Sequence, residues 1–328
     1  MIATAVGSLP GTDMAGALRA MADTFDELVP LPELPARGPH AGMVGRAVGV
    51  LDGLPVDLSP EGWRLADAPD SRARAARRLW SADLDQAEEV LAGAPARVKV
   101  GLCGPLTLLA GLHLRRGESV LADAGARRDV VAALAEAVST LHRDLTRRMP
   151  EVTWMLQVDE PGAAAVLGGG VPTASGLHRH PPIETEEATA AWRSVVAAWP
   201  QGRVWWHGCG RQVPWTLLAR AGMTTALVDV TALGPRQLDG LAAWLDAGHR
   251  AGLGVVATEQ PDHLVSPDEM VARVAELVRR PGIDPRRLEE CLLTPACGLA
   301  GWSRPAAARQ CEAVAHAAPL AAERLADL

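Results

Sequence analysis

Residues 152–161 read VTWMLQVDEP, and the order of residue types in this stretch decides the predicted fold. The apolar run 152–158 is typical of a buried strand, and it ends in two acids and a proline. The same order, a short apolar run followed by a polar turn, recurs along the chain. The other predicted strands are residues 2–6, 27–31, 98–102, 204–206, 226–230, 253–257 and 291–294.

Stretches rich in alanine, leucine and arginine separate these strands and predict helices at residues 13–25, 72–91, 122–148, 184–198, 214–221, 238–251 and 267–280. Eight strands alternating with helices predict an α/β fold, a (β/α)8 TIM barrel, with residues 1–328 as one catalytic domain. The alternative is an open, doubly wound sheet. No Gly-x-Gly-x-x-Gly motif follows the first strand, so the usual signal of a dinucleotide site is missing.

Composition excludes several classes of function. The 328 residues are 48% hydrophobic and 22% charged, which suits a globular protein with a large core. The net charge is −7, and no basic stripe with interleaved aromatics predicts a nucleic-acid partner. No apolar run reaches the roughly 18–20 residues of a membrane helix. Five cysteines make no disulfide framework, and the first residues lack the basic region of a signal peptide, so a reducing, cytoplasmic location is expected.

Reactive residue types collect where the predicted strands end. Polar turns marked by glycine or proline lie at residues 7–10, 32–33, 103–105, 159–161, 207–210, 258–259 and 295–298. Barrel enzymes build their active sites at the carboxyl ends of the strands. Turn formation explains the glycines and prolines, but it does not explain the histidine, the cysteines and the carboxylates. We therefore expect the functional residues at one end of the barrel.

A zinc site is predicted from three of these residues. His207 and Cys209 lie two apart, so on an extended chain both side chains point to the same side. An imidazole and a thiolate suit zinc, and Cys297 at the end of the last strand supplies a third ligand. Three protein ligands leave the open position that a catalytic zinc needs. A His-x-Cys pair alone is more often a packed histidine beside a buried cysteine, and the third residue favours the metal.

Asp229, near the end of the sixth strand, allows two interpretations. It supplies an oxygen ligand to the zinc ion, or it caps the turn that begins at Thr231. The remaining cysteines, Cys103, Cys291 and Cys311, are expected to be buried core residues.

Five motifs in order make the chain similar to a known family. They are Gly-Ser-Leu-Pro at 7–10, Gly-Pro-Leu-Thr-Leu at 104–108, Leu-Gln-Val-Asp-Glu-Pro at 156–161, His-Gly-Cys at 207–209, and Pro-Ala-Cys-Gly-Leu at 295–299 followed by Gly301-Trp302. Together they resemble the C-terminal catalytic domain of cobalamin-independent methionine synthase. The uroporphyrinogen-decarboxylase-like superfamily shares the barrel, but the Asp-Glu-Pro and Pro-x-Cys-Gly-Leu segments favour the methionine synthase branch.

The resemblance implies zinc-dependent methylation of the thiol of homocysteine to give methionine. It makes His207, Cys209 and Cys297 zinc ligands, with Asp229 near the place of the family's glutamate ligand. Ser8 matches the serine that binds the amino-acid carboxylate, and Glu33 and Asp159 match the acids that hold its ammonium group. The chemistry agrees, because a buried ammonium must be paired and a thiolate is the nucleophile that zinc produces.

The sequence departs from this family in three ways. It is too short for the family's second, N-terminal barrel, and the other two departures concern the methyl donor. Gly111 stands where the folate-dependent family stacks a tryptophan on the pterin. The Asp-x-His-Ser motif after the seventh strand, which protonates the leaving nitrogen, is not matched, although His263 or Asp262 could serve after a loop shift. Two methyl donors therefore remain open. Methyltetrahydrofolate would need His263 as the acid, whereas a methylcorrinoid such as methylcobalamin, carried on a corrinoid protein, needs no proton.

Two other functions remain open. One is a zinc-dependent methyltransferase for another thiol, against which Ser8, Glu33 and Asp159 argue. The other is a non-catalytic protein that binds zinc or the methyl donor, against which the retained polar strand ends argue. Residues 171–180 are expected to form a loop over the mouth of the site, with His178 and His180 exposed.

Overall fold

The computed structural model describes residues 1–68, 70–92, 97–279 and 283–328. Its strands are β1 (Ile2–Ala3), β2 (Val29–Pro30), β3 (Val56–Ser59), β4 (Gly62–Leu65), β5 (Arg97–Cys103), β6 (Thr153–Asp159), β7 (Val204–Gly208), β8 (Thr225–Asp229), β9 (Arg250–Val256) and β10 (Leu292–Pro295). Its helices are α1 (Met14–Thr24), α2 (Met43–Val50), α3 (Ser71–Leu91), α4 (Pro105–Gly111), α5 (Ala124–Arg148), α6 (Ala163–Leu167), α7 (Thr185–Ala197), α8 (Trp215–Ala221), α9 (Pro235–Asp246), α10 (Pro267–Val278), α11 (Pro285–Glu289) and α12 (Arg304–Ala326).

Eight strands form one parallel sheet in the order β1-β10-β9-β8-β7-β6-β5-β2. The two outermost strands meet just beyond their ends, where Ser8 and Glu33 form a parallel bridge. The Leu9 N–H donates to the Glu33 carbonyl at 2.8 Å, and the Glu33 N–H donates to the Gly7 carbonyl at 2.9 Å. The sheet is therefore curled as in a TIM barrel, which confirms the predicted fold class.

Helix starts follow the local chemistry of the sequence. The first-turn N–H groups of six helices are capped by the side chains of Asp13, Asp70, Asp123, Ser266, Asp284 and Ser303. No helix in the described ranges is long and apolar enough to cross a membrane.

All eight predicted strands are present, but some helix boundaries were wrong. The helix expected at residues 238–251 begins at Pro235 and ends at Asp246, because Gly248 adopts a left-handed φ of 84° and the chain then enters β9. The helix expected to reach residue 280 ends at Val278, and residue 280 itself lies outside the described residues. The antiparallel hairpin of β3 and β4 was not predicted.

Side-chain alternation divides each strand between two environments. On β6, Trp154, Leu156 and Val158 belong to the main core between the sheet and the helices. Met155, two residues before Gln157, belongs to a separate small cluster inside the barrel. That cluster, here called the barrel floor, consists of Ile2, Leu28, Met155, Trp205, Leu227 and Leu292. Because alternate residues share a face, the residues two and four places beyond the floor point into the barrel mouth.

Candidate metal and substrate site

His207, Cys209 and Cys297 come together at the mouth of the barrel. One ligand atom from each lies within 4.8 Å of the other two. His207 is buried near the end of β7, and both cysteines are partly buried just beyond β7 and β10. The Cys297 thiol donates a hydrogen bond to Cys209 Sγ at 3.1 Å. Because β7 and β10 are not neighbours in the sheet, its curl is what brings the two cysteines into contact.

The two thiols of this group differ in acidity. The hydrogen bond from Cys297 and the nearby charge of His207 lower the pKa of Cys209 to about 6, although burial opposes this. The same hydrogen bond, together with burial, raises the pKa of Cys297 far above its usual range. At neutral pH the pair therefore holds one proton and one negative charge. A thiolate next to a thiol and an imidazole is a suitable donor set for zinc.

Burial distinguishes the other three cysteines from this pair. It raises the pKa of Cys291 and of Cys311 to about 12, and it raises the pKa of Cys103 as well. All three are buried, as predicted for core residues.

His207 is held by a carboxylate. Its Nδ1 lies 2.8 Å from Asp159 Oδ1, and its Nε2 lies 3.3 Å from the Ala296 carbonyl oxygen. Burial opposes a charge on the ring, but the hydrogen bond and the charge of Asp159 raise the pKa of His207 overall. The carboxylate and the carbonyl only accept hydrogen bonds, so in the metal-free protein each ring nitrogen faces its neighbour with a hydrogen. Nδ1 is held by the carboxylate, so Nε2 is the nitrogen at which a metal ion would replace the hydrogen.

Glu33 and Asp159 share a pocket above Gly101, on β5. Both carboxylates are buried. A Cβ atom added to Gly101 would collide with Glu33 Oε1 and lie 3.0 Å from Asp159 Oδ2. The glycine therefore leaves the space in which the two acids converge. Burial raises the pKa of Glu33, which indicates that this carboxylate benefits from a positive partner.

Ser8 lies between this pocket and the metal ligands. It forms the bridge with Glu33, and its carbonyl accepts a hydrogen bond from the Leu299 N–H at 2.7 Å. Gly298 follows Cys297, and a Cβ atom added to it would lie 2.6 Å from Ser8 Cβ. The structure thus places the three residues predicted to bind the amino acid beside the three predicted to bind zinc.

Three further polar residues around this pocket were not predicted. Arg46 of α2 is buried, with Nε 3.4 Å from Glu33 Oε2 and its guanidinium 4.3 Å from the centre of the Trp80 ring. Lys99 and Gln157 lie two residues before Gly101 and Asp159 on their strands. Burial lowers the pKa of Lys99 to about 8. The alternation of strand side chains was the signal that could have found Lys99 and Gln157, because it places both inside the barrel.

Glu160 follows Asp159 but faces away from the mouth. Its Oε1 accepts hydrogen bonds from the Leu106 N–H at 3.0 Å and the Trp192 indole at 2.7 Å. Its Oε2 accepts from the N–H and the hydroxyl of Thr107, both at 2.7 Å. Four donors satisfy this buried carboxylate, so it joins β6 to the start of α4 and to α7.

Asp229 caps the turn at Thr231, which is one of its two predicted roles. Its Oδ1 accepts hydrogen bonds from the Thr231 N–H at 2.9 Å and the Thr231 hydroxyl at 2.6 Å. Its charge is close enough to raise the pKa of Cys209 against the causes that lower it. It does not belong to the group of three ligand atoms that converge among the described residues. Its role as a fourth ligand stays a prediction.

The residues connected with the methyl donor lie in different surroundings. His263 is exposed, and Asp262 is exposed with its Oδ1 accepting a hydrogen bond from the Ser303 N–H at 2.7 Å. Gly111 ends α4 against α2, where an added Cβ atom would lie 2.9 Å from Val44 Cγ2. General acid catalysis by His263 stays a prediction.

The loop of residues 171–180 corrects one expectation. His178 is exposed as predicted, but His180 is buried, with Nε2 3.0 Å from Glu118 Oε1. Glu118 also accepts a hydrogen bond from the Ala174 N–H at 3.0 Å. The expectation for His180 was wrong because this acid, distant in sequence, lies against the loop and gives the buried imidazole a hydrogen-bonding partner.

Comparisons with known proteins identify the family of this chain. The family model of the cobalamin-independent synthase catalytic domain matches residues 73–320. A solved structure of a B12-independent methionine synthase from Shewanella sp. W3-18-1, in complex with selenomethionine, is 11% identical, with a TM-score of 0.67 over 100% of both chains. A search of curated proteins found no match. The matched span covers most of the chain and includes Asp159 and the three converging ligands, and this chain therefore belongs to the family of cobalamin-independent synthase catalytic domains.

Proposed function

We propose that this chain transfers a methyl group to the thiol of homocysteine and so forms methionine, using a zinc ion. The observation that carries the proposal is the convergence of two donor sets at one mouth. His207, Cys209 and Cys297 offer one imidazole and two sulfurs within 4.8 Å. Two buried carboxylates, of Glu33 and Asp159, meet above Gly101 beside them. A substrate with a thiol at one end and an ammonium group at the other matches both sets.

Zinc fits the residues present. The pair of thiols already carries one negative charge at neutral pH, since the pKa of Cys209 is about 6. His207 is oriented by Asp159 so that one ring nitrogen is left for a metal. Bound zinc would lower the pKa of an acceptor thiol and so supply the thiolate nucleophile at neutral pH.

The protein itself selects and orients the amino acid. Glu33 and Asp159 would pair with the ammonium group, and Ser8 would donate its hydroxyl to the carboxylate. One oxygen of each acid already has a partner, Arg46 for Glu33 and His207 for Asp159, and the other oxygen of each faces the space above Gly101. A thiol without an amino-acid head offers no ammonium group to these two oxygens. These residues support homocysteine over another thiol acceptor.

The methyl donor is methyltetrahydrofolate or a methylcorrinoid. Tetrahydrofolate needs a proton on its leaving nitrogen, and the proposed acid, His263, lies exposed at the rim. A corrinoid needs none, so the same acceptor site serves both donors.

The test combines metal analysis with a methyl-transfer assay. Purified protein is expected to contain one zinc ion per chain. With homocysteine it should form methionine from at least one of two donors offered separately, methyltetrahydrofolate and methylcobalamin. Other thiols, such as 2-mercaptoethanol, should react far more slowly. Zinc-loaded protein that methylates no thiol with either donor would contradict an enzymatic role, and equal rates with all thiols would contradict homocysteine as the substrate.

A further inference from the structure

A buried lysine lies at the start of a hydrogen-bonded chain that ends at the metal ligands. Lys99 Nζ donates to Gln157 Oε1 at 2.5 Å and to the Val6 carbonyl at 2.8 Å. Gln157 Nε2 donates to Asp159 Oδ1 at 2.6 Å and to the same Val6 carbonyl at 3.0 Å. Asp159 Oδ1 also faces His207 Nδ1 at 2.8 Å. All four side chains are buried.

The donor and acceptor roles of these groups fix the direction of every hydrogen bond from Lys99 to His207. An ammonium group only donates, so the oxygen of the Gln157 amide must face Lys99. The amide nitrogen is thereby turned towards Asp159. The carboxylate only accepts, so His207 Nδ1 carries a hydrogen. Both ends of the amide are thus matched, its oxygen to the ammonium donor and its nitrogen to the carboxylate acceptor.

We propose that Lys99 is a positioning residue, which acts through Gln157 to fix both Asp159 and the ring nitrogen that His207 offers to zinc. The inference rests on the proposed function, since it concerns the same site. Asp159 Oδ1 is occupied by two donors, and Oδ2 is left to face the pocket above Gly101. One chain of hydrogen bonds thus orients the metal ligand and one wall of the ammonium pocket.

The Val6 carbonyl extends this role to the substrate serine. It accepts hydrogen bonds from both Lys99 and Gln157, and it lies two residues before Ser8. The segment that follows β1 is therefore tied to the interior of β5 and β6. Loss of the lysine would loosen the turn that presents Ser8.

A simple packing role does not account for this lysine. Met155 and Trp205 lie two residues before Gln157 and His207 and pack in the barrel floor. An apolar residue at position 99 would extend that floor without the cost of burying a charge. The Lys99 ammonium group instead donates to one amide and one carbonyl. The charges of Asp159 and Glu33 act to raise its pKa, although burial lowers it overall.

The experiment measures zinc affinity in the metal-free protein by competition with a chromophoric chelator, so it needs no turnover. Lys99→Met, Gln157→Met and the double variant are compared with the wild type. Loss of a partner behind a metal ligand typically weakens metal binding about 10- to 100-fold, and we expect that loss in each single variant. Because both act through one chain, the double variant should bind zinc no more weakly than the weaker single variant.

Thr4→Val is the matched control. It removes another fully buried side-chain hydrogen bond, from the Thr4 hydroxyl to the Leu28 carbonyl at 3.1 Å, which is outside the chain. Its zinc affinity should equal that of the wild type, even if its unfolding temperature falls. A merely structural lysine would behave in the same way as this control.

Three results would overturn the inference. They are wild-type zinc affinity in Lys99→Met, wild-type zinc affinity in Gln157→Met, or losses that multiply in the double variant. If Lys99→Met does not fold, Gln157→Met decides alone. A wild-type protein that binds no zinc would contradict the proposed function as well, which distinguishes that failure from the failure of the inference alone.

Discussion

Asp159 and Glu160 are adjacent acids at the end of one strand, yet they belong to different regions of the molecule. Asp159 lies inside the barrel mouth, where one oxygen holds His207 and the other faces a pocket. Glu160 lies between the sheet and the helices, where four donors satisfy it. The strand's alternation makes the difference. An acid with an open oxygen is available for a ligand, whereas a fully satisfied acid holds the structure together.

The cysteines divide in the same way. Cys209 and Cys297 are partly buried at the mouth and share one proton, so one of them is a thiolate at neutral pH. Cys311 is fully buried in the outer layer, on α12, and burial keeps it protonated. The contrast between Cys209, Cys297 and Cys311 shows that residue type alone does not identify a candidate metal ligand in this chain.

The largest effect is expected where the mouth loses a metal ligand. Cys297→Ala should remove all methyl-transfer activity and most of the zinc affinity, since it deletes one of three converging donors. Cys311→Ala is the outer-layer control and should keep its zinc. Elemental analysis and the methyl-transfer assay compare the two. Full zinc occupancy in Cys297→Ala would show that Cys297 is not a zinc ligand.

The acid in the mouth should matter for the substrate and not for the metal. Glu33→Gln should weaken homocysteine binding by about 2–5 kcal/mol, the usual loss when one partner of a buried charge pair is removed. Zinc content should not change, because Glu33 does not touch the ligands. Calorimetric titration with homocysteine measures the affinity. Unchanged affinity would favour a thiol without an amino-acid head.

The acid in the outer layer should show the opposite pattern. Glu160→Gln replaces one acceptor oxygen by a donor that meets other donors, so it should lower the free energy of unfolding by about 1–3 kcal/mol. Homocysteine affinity of the folded protein should stay at the wild-type value. Denaturant unfolding with a binding titration separates the two effects. A variant of normal stability with lost binding would place Glu160 in the site after all.

The pH dependence of thiol alkylation tests whether Cys297 causes the acidity of Cys209. In the metal-free protein Cys209 should react with iodoacetamide along a curve centred near pH 6, since its thiolate forms as pH rises through its pKa of about 6. Cys297→Ala removes the hydrogen bond that is the largest cause of this low pKa, so the midpoint should move to higher pH. Mass spectrometry of alkylated peptides locates the modified residue. A midpoint that stays near pH 6 in the variant would assign the acidity to His207.

The smallest effect is expected at the rim. His263→Ala changes an exposed side chain, and such changes rarely alter stability by more than about 0.5 kcal/mol. Methylation with methylcobalamin should proceed at the wild-type rate, because a corrinoid leaves without a proton. The same assay with methyltetrahydrofolate is the second arm. A fall of about 10²- to 10⁴-fold there would show that His263 is the acid for the folate donor.

The strand ends predicted where the site lies, and the resemblance supplied the roles of its amino-acid-binding residues. Ser8, Glu33, Asp159, His207, Cys209 and Cys297 all follow apolar runs, and the curled sheet brings them to one mouth. Arg46 was not predictable, because it sits on α2, in a connection whose path across the mouth follows from no local pattern. His180 was misjudged for the same reason, since its partner Glu118 is far away in sequence.

The resemblance to a known family assigned Ser8, Glu33 and Asp159 to the amino acid. The amino-acid sequence itself predicted the eight strands, their alternation with helices, and three residues that could hold zinc. Those features are local, because periodicity and turn chemistry act over a few residues. Only the tertiary structure decided which groups are partners: the hydrogen bond between Cys297 and Cys209, the contact of Glu33 with Arg46, and the chain from Lys99 to His207. Donor direction and pKa depend on atoms brought together by the closure of the sheet, and that closure joins residues distant in sequence.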